Sequence, residues 1–299
     1  MFGLLAGLSH AEIQVLIVAG DGGAAQTSAI ASLTSELTKT GSPPETLAIW
    51  DLAEWRDKRT AASPRVVIAL GTAATSLLAE SLPKAPVLAA LLPRQNFDRI
   101  LRQSGRKVSK QFTAIYLDQP LTRQVALVRA ALPQARKIGV LWGPESKANA
   151  LALRSLVDAS GMQLLEAELT ADITVSPDLR KVLAGSDVFL AMADPQVFNS
   201  NSIQNLLLAT FRANVPMLAF SPAYVRAGAW LSLHVTPQQI GQQAAYWAHA
   251  VLQGGSLPEV ALDSSDFEVT VNEHVGRSLN LKADGPQLRL QLRHLEQLP

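Results

Sequence analysis

The chain has 299 residues, 48% of them hydrophobic but only 17% charged and 5% aromatic, and its length suggests two domains of about 150 residues each. Lys and Arg number 26 against 25 Asp and Glu, a net charge of +1, which leaves no electrostatic footprint for nucleic acid and no polybasic anchor for a membrane surface. No cysteine is present, which excludes a disulfide scaffold, a zinc–thiolate site and a thiol nucleophile.

Residues 2–8 (FGLLAGL) form an apolar run, followed by Ser9-His10-Ala11 with small residues at the −3 and −1 positions of a signal-peptidase site. Residues 1–11 read as a signal-peptide remnant, with the mature chain starting near Glu12. The competing reading is a loosely packed N-terminal segment. No apolar run approaches the roughly 20 residues of a membrane span.

Short apolar runs then alternate with helical patterns, the signature of parallel sheets covered by helices. Residues 13–19 (IQVLIVA) read as a strand broken by Gly20-Asp21-Gly22-Gly23, and residues 24–40 as a helix ended by Gly41. Residues 46–50, 65–70 (RVVIAL) and 85–92 give further strands, with a helix over 73–81 after Gly71-Thr72. Residues 93–110 carry Arg94, Arg99, Arg102, Arg106, Lys107 and Lys110 against the single acid Asp98. That pattern reads as a solvated helical face, with Arg94 the exception because it stands just past a strand end. A strand at 114–117 (AIYL) leads through Asp118-Gln119-Pro120 into a helix over 121–132, the crossover to the second half.

The second half repeats the order. Residues 137–142 (KIGVLW) break at Gly143-Pro144, a helix spans 146–160, and a strand follows at 163–168. Residues 179–183 lie in a helix, 187–193 (DVFLAMA) end at Asp194-Pro195, 200–214 form a helix, and 215–220 (VPMLAF) end at Ser221-Pro222. A strand at 229–234, an amphipathic helix at 238–253, a final strand at 267–271 and a Leu-rich tail close the chain. The tail alternates apolar and basic residues and reads as a surface helix or strand. Val15 to Val66 is 51 residues and Ile138 to Val188 is 50, so the halves share a pattern with little residue identity. The pattern means two open sheets, and ligands of such sheets bind beyond the carboxyl ends of the strands.

Candidate residues are therefore sought at strand ends. Gly20 to Ala25 fits G-x-G-x-x-A between a strand and a helix. A dinucleotide site needs an acid about 20 residues on, yet Asp51, the nearest at a second-strand end, lies 31 residues after Gly20. A glycine turn is the plainer reading. At Gly71-Thr72-Ala73, free backbone N–H groups and the Thr hydroxyl can hold a carboxylate or phosphate, or Thr72 can cap the helix. Ser146 occupies the matching place in the second half. Asp194 can take a solute ammonium or hydroxyl, or close an Asx turn with Pro195. Ser221 and Tyr224 follow another strand end and offer hydroxyls and a ring. Trp142 either faces the cleft or packs beneath a helix. None of the five histidines (His10, His234, His249, His274 and His294) shows zinc spacing. Ser221 is not in G-x-S-x-G, and no P-loop occurs. Nothing nominates an enzyme, a metal or a cofactor.

The stretch Ala114 to Pro120, then Gln124 to Arg129, Ala131-Leu132-Pro133 and Arg136 to Leu141, resembles the uncharacterised ABC-transporter substrate-binding protein family. The resemblance continues through Ala193-Asp194-Pro195, Val215-Pro216, Ser221 with Val225 to Ala229, Gln239-Ile240 to Gln243, and Phe267-Glu268-Val269. It implies a type I periplasmic-binding fold, α/β, with two Rossmann-like lobes joined by a multi-stranded hinge. Lobe one would hold 12–117 and about 234–258, lobe two 118–233 and about 259–282, with a tail at 283–299. Gly71, Thr72 and Ala73 match the family's first-lobe ligand loop, and Ser146, Asp194 and Ser221 match second-lobe positions that face the cleft. The wider expected ligand set adds Asp21, Arg94, Trp142 and Tyr224, with Asp118, Gln119 and His234 at the hinge. Two departures are plain. Family members that bind aromatic amino acids carry an acidic, His- and Pro-containing loop after the first strand, where this chain has Gly20-Asp21-Gly22-Gly23, and a Ser- or Asp-bearing turn where it has Leu92-Pro93-Arg94.

The resemblance implies a periplasmic, monomeric, non-enzymatic solute-binding protein of an ABC uptake system. It would close on a small polar solute, amino-acid-like or otherwise anion-bearing, and engage an inner-membrane permease transiently. It would have no cofactor, no nucleic-acid partner and no membrane insertion. A periplasmic sensor for a membrane receptor or kinase and a cytoplasmic dinucleotide enzyme using Gly20 to Ala25 are the alternatives.

Overall fold

The computed structural model describes residues 12–20, 22–81, 83–169 and 177–297. The expected signal remnant over 1–11 and Asp21 lie outside the described residues. The chain divides into two compact units, Met1–Leu117 with Thr236–Ser265, and Asp118–Val235 with Asp266–Pro299. It passes from one unit to the other three times. Residues 259–265 run with the first unit, and the C-terminal tail runs with the second.

Up to the first crossing the elements are β1 (Val15–Ala19), α1 (Ala24–Lys39), β2 (Leu47–Trp50), α2 (Leu52–Lys58), β3 (Val66–Leu70), α3 (Thr72–Ser81), β4 (Val87–Leu92), α4 (Arg94–Ser104) and β5 (Phe112–Tyr116). The second unit continues with α5 (Leu121–Ala131), β6 (Lys137–Trp142), α6 (Ala150–Ala159), β7 (Gln163–Glu168), α7 (Pro177–Gly185), β8 (Val188–Leu190), α8 (Ile203–Arg212), β9 (Met217–Ala219), α9 (Pro222–Ala227) and β10 (Leu231–His234). After the second crossing comes α10 (Pro237–Leu252), and after the third come β11 (Glu268–Val271), α11 (Glu273–Ser278) and α12 (Gly285–Gln297).

The first unit holds one parallel sheet in the order β2-β1-β3-β4-β5. Its central strands β1 and β3 are buried at every residue, which is why they read as unbroken Val/Ile/Leu runs. The second sheet has the order β11-β10-β9-β8-β6-β7. It is parallel except for β11, which lies antiparallel to β10. The recurrent spacing in the sequence is the register of the two central pairs. Val15 faces Val66 across β1 and β3, and Ile138 faces Val188 across β6 and β8.

Helix starts and stops follow local chemistry. The α2 and α10 N-termini each carry a capping box, Asp51 with Glu54 and Thr236 with Gln239. Gly105 ends α4 at a φ of 70°. The helix expected over 146–160 opens instead as a tight 3₁₀ turn, Ser146–Asn149, before α6. On the first unit, α10 lies against α1 at Gly241, where an added Cβ would stand 2.4 Å from the Ala29 carbonyl oxygen. On the second, the tail forms the helix α12. Leu288 and Leu292 join the core there, and the helix packs against α5 and β11.

Candidate functional site

Each sheet reverses its strand order at one place, the switch point where open α/β sheets form a ligand crevice. In the first unit it lies between β1 and β3, so Gly20, Gly22 and Gly23 after β1 and the Gly71–Ala73 turn after β3 flank it. In the second it lies between β6 and β8, flanked by the Gly143–Ser146 loop and by the residues after Leu190 leading to Asp194. The two switch points are equivalent in topology and differ in chemistry.

At the first, Gly71 takes a φ of 87°, a left-handed conformation that glycine adopts without strain. It turns the chain from β3 into α3. The Gln26 amide of α1 bridges the two turns, accepting from the Gly22 N–H at 3.2 Å and donating to the Leu70 carbonyl at 3.1 Å. A Cβ on Gly71 would stand 3.0 Å from the Gln26 Nε2, so the glycine also makes room for this bracket. Thr72 is the first residue of α3 rather than its cap. Its hydroxyl accepts from the Asn96 Nδ2 of α4 at 3.0 Å. The opening N–H groups of α3 have no intrahelical carbonyl to bond, and Ala73 is exposed.

Arg94, at the start of α4, lies with its guanidinium 4.3 Å from the Tyr116 ring centroid and 2.8 Å from the Asp263 carboxylate. It is held at the carboxyl ends of β4 and β5, half-exposed, and α4 is anchored beneath it by buried Phe97, stacked on Phe112 at 5.6 Å. The remaining bases of α4 and its following loop include exposed Arg99, Arg102 and Lys107. Arg106 differs from a solvated cation. It lies over the Phe112 ring at 4.7 Å, and burial pushes its pKa down.

At the second switch point the expectations change. Asp194 is 2% exposed. Its carboxylate accepts the N–H groups of Ser146 at 2.8 Å, Glu145 at 2.9 Å and Gln196 at 2.9 Å. It ties the β6 loop to the β8 loop. Ser146 is fully buried, and its hydroxyl accepts from the Gly143 N–H at 2.9 Å. Trp142 is core, packed among Ile138, Leu153 and Leu218, with its indole N–H on Glu166 at 2.8 Å. Ser221 caps α9 by accepting from the Ala223 N–H. Tyr224 stacks edge-on against Phe220 at 5.0 Å and leans on Phe198 at 6.0 Å. Its hydroxyl reaches the Phe198 carbonyl at 3.4 Å, and burial raises its pKa. These five side chains build the second unit's loops and core.

The crossing residues have defined partners. Gln119 is buried and accepts from Arg123 at 2.7 Å. Arg123 also forks onto Glu296 of α12 and lies over Phe267 at 4.3 Å. Asp118 adjoins Gln119 at the first crossing, and His234 ends β10 just before the second. Burial lowers the His234 pKa, and its Nδ1 lies 3.2 Å from the Ser232 hydroxyl. Asp51, the acid weighed for a dinucleotide ribose, spends its carboxylate on the Glu54 N–H as a helix cap. Among the described residues no group of three or more His, Cys, Asp and Glu side chains could hold a metal ion.

Sequence reasoning missed Gln26 and Asn96. Each is an amide at the first turn of a helix that follows a strand, at positions 26 and 96, so the signal was distance from the strand end.

Two open, parallel-dominated sheets threaded by three crossings define a type I periplasmic-binding fold. A ligand-free, open substrate-binding protein with adhesive properties from Clostridium difficile shares it at a TM-score of 0.71, with 17% identity over 91% of this chain and 96% of that one. An ABC domain from Streptococcus pneumonia in complex with L-Trp aligns at 0.60, with 14% identity over 91% and 95%. The profile of the ABC transporter substrate binding protein family matches residues 50–285, and the chain belongs to that family. A tyrosine-binding protein of Clostridioides difficile is 23% identical over 188 residues, 61% of this chain and 52% of that protein. The chain thus spans about half the length of this curated relative. The family is one of substrate-binding proteins. No helix among the described residues is long and apolar enough to cross a membrane.

Proposed function

We propose that this chain is the periplasmic solute-binding component of an ABC uptake system and takes a small, carboxylate-bearing solute of the amino-acid class. The observation that carries the reading is the asymmetry of the switch points. In the second unit an internal carboxylate, Asp194, already occupies the backbone N–H groups of the β6 loop. In the first unit the equivalent N–H groups at the start of α3 face no such side chain among the described residues, and Thr72 stands beside them. An anion brought by the solute is the natural counterpart of a helix start of that kind. The relatives whose names mention tyrosine and L-Trp support the amino-acid class. In this reading the protein works as a monomer, closes on the solute, and presents the closed form to a permease.

Thermal-shift screening against the twenty standard L-amino acids tests it, with calorimetry on any that shift the transition. A binder at 100 times its dissociation constant adds about 2.7 kcal/mol of stability. Closure is checked by solution scattering, as a fall in radius of gyration with the bound amino acid. The reading fails if no amino acid binds, or if neutral sugars bind and amino acids do not.

A further inference from the structure

We infer that Asn96, itself aimed by Arg99, is the positioning residue that makes Thr72 a hydrogen-bond donor toward the solute. The inference rests on the reading of the α3 start as the place of a solute carboxylate, and it says why that place prefers an acceptor.

The chain of hydrogen bonds has only one consistent polarity. Arg99 Nη2 lies 2.9 Å from Asn96 Oδ1. A guanidinium has no acceptor, so the Asn96 oxygen must face Arg99 and its NH₂ must face the other way. The other way is Thr72, whose Oγ1 is 3.0 Å from Asn96 Nδ2. Thr72 therefore accepts there, and its single proton has to leave in another direction. Among the described residues none accepts that proton. A hydroxyl with one lone pair occupied and its proton unspent offers a donor to whatever lies beside the opening N–H groups of α3.

The platform is rigid where this matters. Asn96 and Arg99 are one helical turn apart on α4, so both lie on one face. Phe97 and Ile100, on the neighbouring face, are buried at 0% and 3% exposure. The Asn96 N–H is itself tied to the Pro93 carbonyl at 3.1 Å. Rotation of the amide by 180° would place its NH₂ against the Arg99 guanidinium and its oxygen against Thr72. That arrangement sets two donors facing each other. Arg99 thus supplies the orientation, Asn96 transmits it, and Thr72 delivers it.

The test measures affinity by calorimetry in the wild type, Thr72→Val, Asn96→Ala, the double variant, Arg99→Leu and Arg99→Lys. The probes are those of the twenty standard L-amino acids that bind the wild type. Loss of one hydrogen bond to a charged group predicts a fall of about tenfold or more for Thr72→Val. Asn96→Ala and Arg99→Leu are expected to weaken binding as well. Arg99→Lys, which still only donates, is expected to restore it. In the Thr72→Val background Asn96→Ala should cost nothing further, because its effect passes through the hydroxyl. Unfolding transitions recorded alongside separate a loss of affinity from a loss of fold. Independent, additive effects of Asn96→Ala and Thr72→Val would overturn the inference and leave the solute reading standing. So would unchanged affinity in folded Asn96→Ala. A wild type that binds no amino acid would overturn the solute reading and this inference with it.

Discussion

The contact between Asp194 and Gly143 offers a sharp test of what the second switch point does. Replacing Asp194 by Ala removes the acceptor of three backbone N–H groups. A buried donor left unpaired costs about 1–3 kcal/mol. Only the Ser146 bond is fully buried, while the other two are partly exposed and can recover some hydration. The expected cost of Asp194→Ala is therefore about 3–5 kcal/mol. Gly143→Ala should also destabilise. Its Cβ would stand 2.3 Å from Asp194 Oδ2, 2.6 Å from Oδ1 and 2.4 Å from Cγ. Relieving that overlap means shifting a buried carboxylate off its N–H donors, for about 2–3 kcal/mol. The two losses share one cause. With the carboxylate gone, the methyl enters the vacated space, so the double variant should be more stable than the sum of the singles by about 2 kcal/mol. That coupling exceeds the roughly 0.5 kcal/mol scatter of independent sites. Urea unfolding of the four proteins measures it, and formate added to Asp194→Ala should recover part of the loss by refilling the N–H groups. Additive losses, or an Asp194→Ala protein of full stability with weakened solute binding, would refute the loop-tie reasoning and return Asp194 to the solute.

Three further predictions follow from packing and charge. Gly241→Ala should loosen the α1–α10 pair by about 2–4 kcal/mol, because its methyl would meet the Ala29 carbonyl oxygen at 2.4 Å and the Leu33 nitrogen at 3.1 Å; a melting temperature equal to the wild type would contradict the close approach. Glu296→Gln should cost about 1–3 kcal/mol in chemical unfolding, since it strips the carboxylate from Arg123, which is 6% exposed, while leaving Gln119 and the Phe267 ring in place. Burial alone would raise the Asp266 pKa, but hydrogen bonds from Arg289 and Arg293 outweigh it and hold the carboxyl below its ordinary value. A lowered carboxylate pKa contributes stability that is present above the unfolded value of about 4 and lost as pH falls through the folded one. The stability gap between wild type and Asp266→Asn, followed by melting from pH 7 down to pH 2, should therefore shrink at the acid end, and a gap constant with pH would remove the ionic explanation.

The sheets were legible because a buried parallel strand has nothing to display but its own apolar run. The 51- and 50-residue spacings carried more than a repeat, since they are the register of β1 on β3 and of β6 on β8. The tail was harder. QLRLQLRHLEQL alternates over its first residues, yet on a helix Leu288 and Leu292 fall one turn apart in the core. Arg289, Arg293 and Glu296 then fall on a second stripe, where they hold Asp266 and Arg123. The wind of a helix, rather than composition, sorts those residues. Asp194 could be placed at a strand end from sequence but not assigned a partner, because its backbone donors at Glu145 and Ser146 lie 49 and 48 positions earlier. The same limit hid the pairing of Arg94 with Asp263, 169 positions on. A side chain's neighbours in sequence say where it stands, and only the fold says whether its lone pairs are already spent.

That distinction turns a list of strand-end residues into a site with a direction. Ser146 and Thr72 looked equivalent, each a hydroxyl where a strand gives way to a helix. Ser146 accepts from the Gly143 N–H within its own loop, and its loop's N–H groups are closed by Asp194. Thr72 accepts from a side chain one helix away, and its proton remains. A carboxylate arriving at the second switch point would meet Asp194 and be repelled at close range. One arriving at the first would meet donors, with Arg94 held nearby at the ends of β4 and β5 by the Tyr116 ring and Asp263. Arg94 also keeps that edge from being a bare cation patch, because Asp263 compensates its charge until a competing anion shares it. The same pairing sets a condition on selectivity. A solute that brings its own cation beside its carboxylate can satisfy Asp263 as it draws on Arg94, whereas a simple anion must leave Asp263 with half of its partner. On the proposed reading, zwitterions would have the advantage over plain carboxylates at this edge.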